Sequence, residues 1–317
     1  MTARLERRSF RAVGTICNVA ITTGRADSAV AHRALAAALA EVDRCEAVLS
    51  RFDPSSDLCE VNRRAGEWVD VDERLASALR AAVAARAATD GRFDPTILPA
   101  LAAAGYDRSY ELLEQRPPQP AAGWRAGAAV EVDVNDARVR IGAGAAVDLG
   151  GIGKGFAAMR ALGAMREAWP ALPGAFVDLG GDLALAGSSP DGAWRIDVVD
   201  PRFSGRSAGQ LHLTGGGVAT SGRDVRRFGP RRSLHHLIDP QTGRPATAGP
   251  LAVTVVADDA VQAEAHATAL ALMSPEAATQ HVASTPAISA LYIPHEGVPV
   301  ALGALPVARP RFVLEAA

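Results

Sequence analysis

VDLGGIGKGFAAMRALGAM, residues 147–165, is the stretch on which the reading of this chain turns. Val147 to Leu149 has strand character, Gly150, Gly151 and Gly153 interrupt it, and a helical apolar pattern begins at Phe156. A strand, a glycine turn and a helix in that order expose backbone N–H and C=O groups at a helix start. Glycines open to positive φ let a phosphate or a metal come close there. Lys154, the only lysine among 33 cationic residues, sits inside the turn. The competing reading is an ordinary turn with a chance lysine. Asp148 stands just before the glycines and offers an acidic hydrogen-bond acceptor beside them.

Two familiar phosphate motifs fail on this run. A P-loop needs glycine five residues before the Gly-Lys pair and Ser or Thr after it, and those places hold Asp148 and Gly155. The dinucleotide fingerprint G-x-G-x-x-G is replaced by G-x-G-x-G at Gly151, Gly153 and Gly155. The pentad VDLGG returns at residues 177–181. Either two strands deliver glycine turns to one cleft, or the repeat is a coincidence of a glycine-rich chain.

Further out, residues 258–273, DDAVQAEAHATALALM, place Glu264 and Thr268 four apart on one helical face among alanines. Such a pair is either an ordinary polar face or two oxygen ligands for Mg²⁺, with a Gly151 carbonyl able to complete the set. Residues 233–246, SLHHLIDPQTGRPA, carry adjacent His235 and His236 before a tight turn. Neighbours on a strand-like stretch face opposite ways, so at most one histidine enters a cleft. Residues 90–101, DGRFDPTILPAL, bring Arg92, Phe93 and Asp94 into a further loop able to contact a ligand.

The rest of the chain reads as a helix-rich part over residues 1–114, a proline-rich connection QRPPQPAAG at 115–123, and a strand-rich part over 124–317. The first part holds one strand at residues 9–22 and helices at 27–50 and about 72–89, the latter capped by Asp72. The last strand is expected at RFVLEA, residues 311–316. A 32.8 kDa chain that is 48% hydrophobic and 21% charged can bury a large core. A net charge of −2 and 5% aromatic residues give no footprint for nucleic acid. Three cysteines without ligand spacing suit a reducing compartment, and neither a signal segment nor a long apolar run is present, so a cytoplasmic protein without a membrane anchor is expected.

Seven segments in this order and spacing resemble the ApbE family of FAD:protein FMN transferases: SRFDPSSDLCEVN at 50–62, DGRFDPTILPAL, VDLGGIGKGFAA, VDLGGD at 177–182, VATSGR at 218–223, HHLIDPQTGRP and AEAHATALAL. The resemblance spans residue 14 to about 273. It implies an α+β fold of mixed or antiparallel sheets with flanking helices, two-lobed and T-fold-like around a flavin cleft. It implies Mg²⁺-dependent transfer of FMN from FAD to a threonine of an acceptor flavoprotein, with AMP released. The acceptor would carry a Ser/Thr-Gly-Ala-Thr-type motif. The metal would be held by the Gly151 carbonyl, Glu264 and Thr268. The flavin nucleotide would contact Val13, Phe52, Arg92, Phe93, Asp94, Asp148, Lys154 and Ile238, and His236 would deprotonate or orient the incoming threonine.

Three departures from the family pattern stand out: Glu264 in place of an aspartate, Val13 in place of a methionine, and Lys154 where some members have an acid. The longer Glu264 side chain shifts the carboxylate outward and suits a weaker site or one adapted to Mn²⁺. Two alternatives share the same fold: an FAD-binding protein without transfer, and an FAD pyrophosphatase releasing FMN and AMP.

Overall fold

The computed structural model describes residues 3–24, 27–133, 135–203 and 205–308. Its frame is an eight-stranded antiparallel sheet in which strands lie side by side in chain order. These are β1 (Arg4–Ala12), β2 (Thr15–Thr23), β3 (Gly174–Leu179), β4 (Leu183–Gly187), β5 (Gly215–Gly222), β6 (Ala252–Ala257), β7 (Ile288–Ile293) and β8 (Val300–Leu302). Most other elements are inserted between neighbouring strands, while a short strand at Val307–Ala308 follows β8 and joins the three-stranded sheet. The longest insertion, between β2 and β3, carries helices α1 (Ser28–Leu49), α2 (Glu73–Ala88) and α3 (Gly153–Ala168), and α4 (Ala260–Leu270) follows β6. Strands from both sides of the proline-rich connection therefore share one sheet, in the expected α+β class with antiparallel sheets.

The sheet is covered on both faces. On one, Ala34, Leu35, Ala38 and Val42 of α1 share a core with Ala157, Ala158, Ala161 and Met165 of α3 and with Ala263, Ala267 and Leu270 of α4. Small residues at these contacts let the helices approach closely. On the other face, Trp194, Val198, Leu211 and Leu213 of a three-stranded sheet pack on Leu185, Val218, Val256 and Ile293. This explains why β6 and β7 are buried along their whole length and read as continuous apolar runs rather than alternating ones.

Three expectations are altered. The first strand is a hairpin, folded at Val13 and Gly14, whose φ of 47° and 69° give a turn that matches the strand twist. Val147 to Leu149 is extended but joins no ladder; its Val147 N–H and C=O are taken by the Asn62 side chain, and its Asp148 N–H by the Pro95 carbonyl. Gly150, Gly151 and Gly153 keep negative or extended φ, so their lack of a Cβ matters for approach rather than handedness. The strand expected at 311–316 lies outside the described residues. Cys17 and Cys45 are core residues, where burial pushes their thiols up to about 11 and about 12, while Cys59 is half-buried. Among the described residues no helix is long and apolar enough to cross a membrane.

Candidate functional site

The first turn of α3 runs against α4, and glycine makes the contact possible. A Cβ on Gly151 would stand 2.9 Å from Thr268 Oγ1 and 3.2 Å from the Phe93 ring. A Cβ on Gly155 would strike the Ala260 carbonyl. The N–H of Gly155, in the α3 turn whose donors have no intrahelical partner, donates to Glu264 Oε2 at 2.7 Å. Glu264 therefore caps α3 from a different helix, next to the positive end of its dipole.

The second carboxylate oxygen, Glu264 Oε1, receives no hydrogen bond and lies 3.4 Å from the Lys154 ammonium. The same ammonium forms an ion pair with Asp182 Oδ2, which has no other partner among the described residues. Glu264 and Asp182 are 3% and 2% exposed. Burial pushes the Glu264 carboxyl above the usual range, opposed by Lys154 and the Gly155 N–H. Asp182, just after the second VDLGG run, thus meets Lys154, just after the first. Thr15, beside the Val13 hairpin, abuts that second turn, where a Cβ on Gly180 would lie 2.7 Å from Thr15 Oγ1.

A second group of residues forms a wall next to this turn. Asp148 Oδ1 pairs with Arg51 Nε at 2.9 Å, and Asp148 Oδ2 accepts from the Gly150 N–H at 3.0 Å. The Arg51 guanidinium lies over the Phe52 ring at 4.1 Å and the Tyr106 ring at 4.8 Å. Phe52 is 43% exposed, a large apolar face open to a planar partner. Ile238 packs with Tyr106 and Phe228 in the cluster behind it. Asp94 is buried and fully engaged: Oδ1 accepts from the Thr96 N–H and hydroxyl, and Oδ2 from the Gly127 N–H. Arg92 is half-buried on the loop before it.

The short strand at Leu234–His235 ends before His236, which lies in a bend, so strand alternation does not govern the pair. His235 is buried, with Nε2 2.9 Å from the Ala246 carbonyl. The Nδ1 atoms of both His235 and His236 are covered and without a hydrogen-bond partner. Burial, reinforced by the positive charge of Arg226 and Lys154, holds the His236 imidazole down to about 3. It is neutral at physiological pH and free to accept a hydrogen bond.

Arg51, Tyr106, Asp182 and Arg226 were not singled out from the sequence. Arg51 and Asp182 fall inside the quoted segments SRFDP and VDLGGD, so adjacency to a motif was the available signal. Tyr106 and Arg226 had none, although the left-handed backbone of Arg226, φ 52°, marks it as a strained position in the folded chain.

The oxygen donors at Glu264, Thr268 and Gly151 suit a hard cation such as Mg²⁺, and the unpartnered Glu264 Oε1 fits that reading. Among the described residues no three His, Cys, Asp or Glu side chains converge as a metal site, so hydroxyl and carbonyl oxygens are needed to complete one.

The sequence profile of the ApbE family matches residues 13–292. The FAD:protein FMN transferase of Treponema pallidum is 29% identical over 97% of this chain and 91% of its own length. That of Salmonella typhimurium is 28% identical over 81% of this chain and 75% of its own. The crystal structure of the ApbE protein of Thermotoga maritima superposes with a TM-score of 0.80 at 30% identity, covering 94% of this chain and 97% of that one. With the profile spanning most of its length, this chain belongs to the ApbE family.

Proposed function

We propose that this ApbE-family enzyme is an FAD:protein FMN transferase that uses Mg²⁺ and a threonine acceptor and releases AMP. The observation that carries the reading is the meeting of the α3 glycine turn with the Glu264–Thr268 face of α4 beside the Lys154 ammonium. In this reaction the threonine oxygen bonds to the FMN phosphorus, the bond to the AMP phosphate breaks with AMP as leaving group, and the threonine proton passes to solvent. The Gly151 carbonyl, Glu264 and Thr268 would hold the metal, which would offset charge on the pyrophosphate. Mn²⁺ is an alternative occupant given the glutamate.

The chain's own residues supply placement. Phe52 offers a ring face to the isoalloxazine, and Asp148, fixed by Arg51 and Gly150, keeps lone pairs for ring N–H groups. Val13, the Arg92 to Asp94 loop and Ile238 frame the same cleft, and Lys154 and Arg226 bring positive charge for phosphates. His236, neutral but a weak base, orients the threonine hydroxyl by accepting its hydrogen bond. Holding both substrates together supplies a large share of the barrier reduction, on the order of 7–11 kcal/mol in favourable cases.

The test is incubation with FAD, Mg²⁺ and an acceptor domain bearing a Ser/Thr-Gly-Ala-Thr motif. In-gel flavin fluorescence and the FMN mass gain on the acceptor, both lost when the acceptor threonine is replaced, support transfer. Free FMN without labelled acceptor would mean a pyrophosphatase. Intact bound FAD would mean a binder, the reading favoured by the Lys154 ammonium on Glu264.

A further inference from the structure

Two buried carboxylates, Glu264 and Asp182, share a single contacting ammonium, that of Lys154, with the positive charge of Arg226 farther off. Glu264 Oε1 and Asp182 Oδ2 are covered from water and share the Lys154 ammonium as their partner. Among the described residues Lys154 is the one cation against Asp182. Burying unbalanced charge is costly, so this is a place that favours a further positive charge. A divalent ion would balance both carboxylates, and its arrival would expel the ammonium by like-charge repulsion. Lys154 stands 22% exposed at the start of α3, so its side chain has a route outward toward the turn where an anion would lie.

We propose that Asp182 and Glu264 form one cation site in which the Lys154 ammonium and a divalent metal exchange. Asp182 thereby becomes a further metal-site residue. Lys154 serves as an internal stand-in that holds the two carboxylates in place until the metal binds, then turns to the nucleotide phosphates. The inference rests on the proposed metal-dependent reading of the site and adds Asp182 and the exchange to it.

Because Lys154 is the chain's only lysine, labelling with ¹⁵Nζ,¹³Cε-lysine gives a single side-chain signal that reports it directly. Titrating the full chain with Mg²⁺, without FAD, should shift that signal saturably. A signal that stays put while calorimetry registers Mg²⁺ binding overturns the exchange. In the same calorimetric titration Lys154→Met should bind Mg²⁺ tighter by about tenfold and Asp182→Asn weaker by about tenfold. Unchanged affinity in either, with the fold verified by circular dichroism, also overturns it. Should Lys154→Met fail to fold, the lysine signal of the unaltered chain and the Asp182→Asn titration still decide. Metal-dependent labelling of the acceptor alongside an unmoved lysine signal would remove the exchange and leave the transferase reading intact. A shifted lysine signal without acceptor labelling would do the reverse.

Discussion

Glu41 on α1 and Glu264 on α4 are both buried glutamates beside α3, at 4% and 3% exposure, yet the fold treats them in opposite ways. Glu41 accepts hydrogen bonds from the guanidinium groups of Arg74, Arg160 and Arg44, all at 3.0–3.1 Å. Burial alone would raise its carboxyl, but those bonds outweigh burial and pull it down to about 2. Glu264 has one backbone N–H and one ammonium at 3.4 Å, and burial wins, lifting its carboxyl. A buried acid whose lone pairs are all used ties elements together. One left with an unpaired oxygen beside a glycine turn is a place for something else to bind.

The largest effect should come from removing the open acid. Glu264→Gln keeps the shape and the Gly155 contact while losing the charge, so acceptor labelling should fall by about 100-fold or more with little change in thermal stability. Stability falling in step with activity would mean that Glu264 belongs with Glu41 as a tie. His236→Ala follows, with labelling down by about 100-fold and FAD affinity retained, as read by flavin fluorescence titration. Unchanged transfer would take His236 out of the mechanism. Glu41→Gln should show the converse pattern. Breaking a buried, multiply bonded charge costs about 3–5 kcal/mol, and the partial exposure of Arg44 and Arg160 reduces this to about 2 kcal/mol. Urea unfolding should register it, while labelling persists.

The same contrast marks what could be read before the fold was known. Helices α1 and α2 follow apolar spacing, and Asp72 caps α2 where its position predicted. The Glu264–Thr268 face and the glycine turn were legible because helical period and missing side chains are local signals, and Gly151 does meet Thr268. The Glu41 cluster was not, since Arg74 and Arg160 reach it from 33 and 119 residues away. The lone lysine drew attention by composition, but its partner Asp182 lies on a different strand connection, and no periodicity joins them. The hairpin at Val13 was missed for a local reason: a valine in left-handed backbone runs against its β-branched preference, so the sequence reads as uninterrupted strand.

A pH series separates the two kinds of burial once more. His235 and His266 are buried and neutral, held down to about 4 chiefly by burial, against an ordinary value of 6.5. Their unfolded forms take up protons below 6.5 while the folded forms do not, so stability declines as pH falls from 6.5 towards 4. Each contributes a loss of about 2 kcal/mol between pH 7 and pH 5. Glu41 acts in a lower window: with its folded value depressed from 4.5 to about 2, its stabilisation holds above 4.5 and drains away as pH falls towards 2. Urea unfolding measured from pH 7 to pH 3 should therefore show two descending limbs. His266→Gln, which keeps a polar contact to His281 without a titrating ring, should make the upper limb shallower by about 2 kcal/mol, leave the part due to His235 and His236, and leave the lower limb unchanged. Glu41→Gln should flatten the lower limb and leave the upper one. If either substitution flattened both, the acid and the histidines would be one coupled network, and the division between a closed structural cluster and an open site would fail.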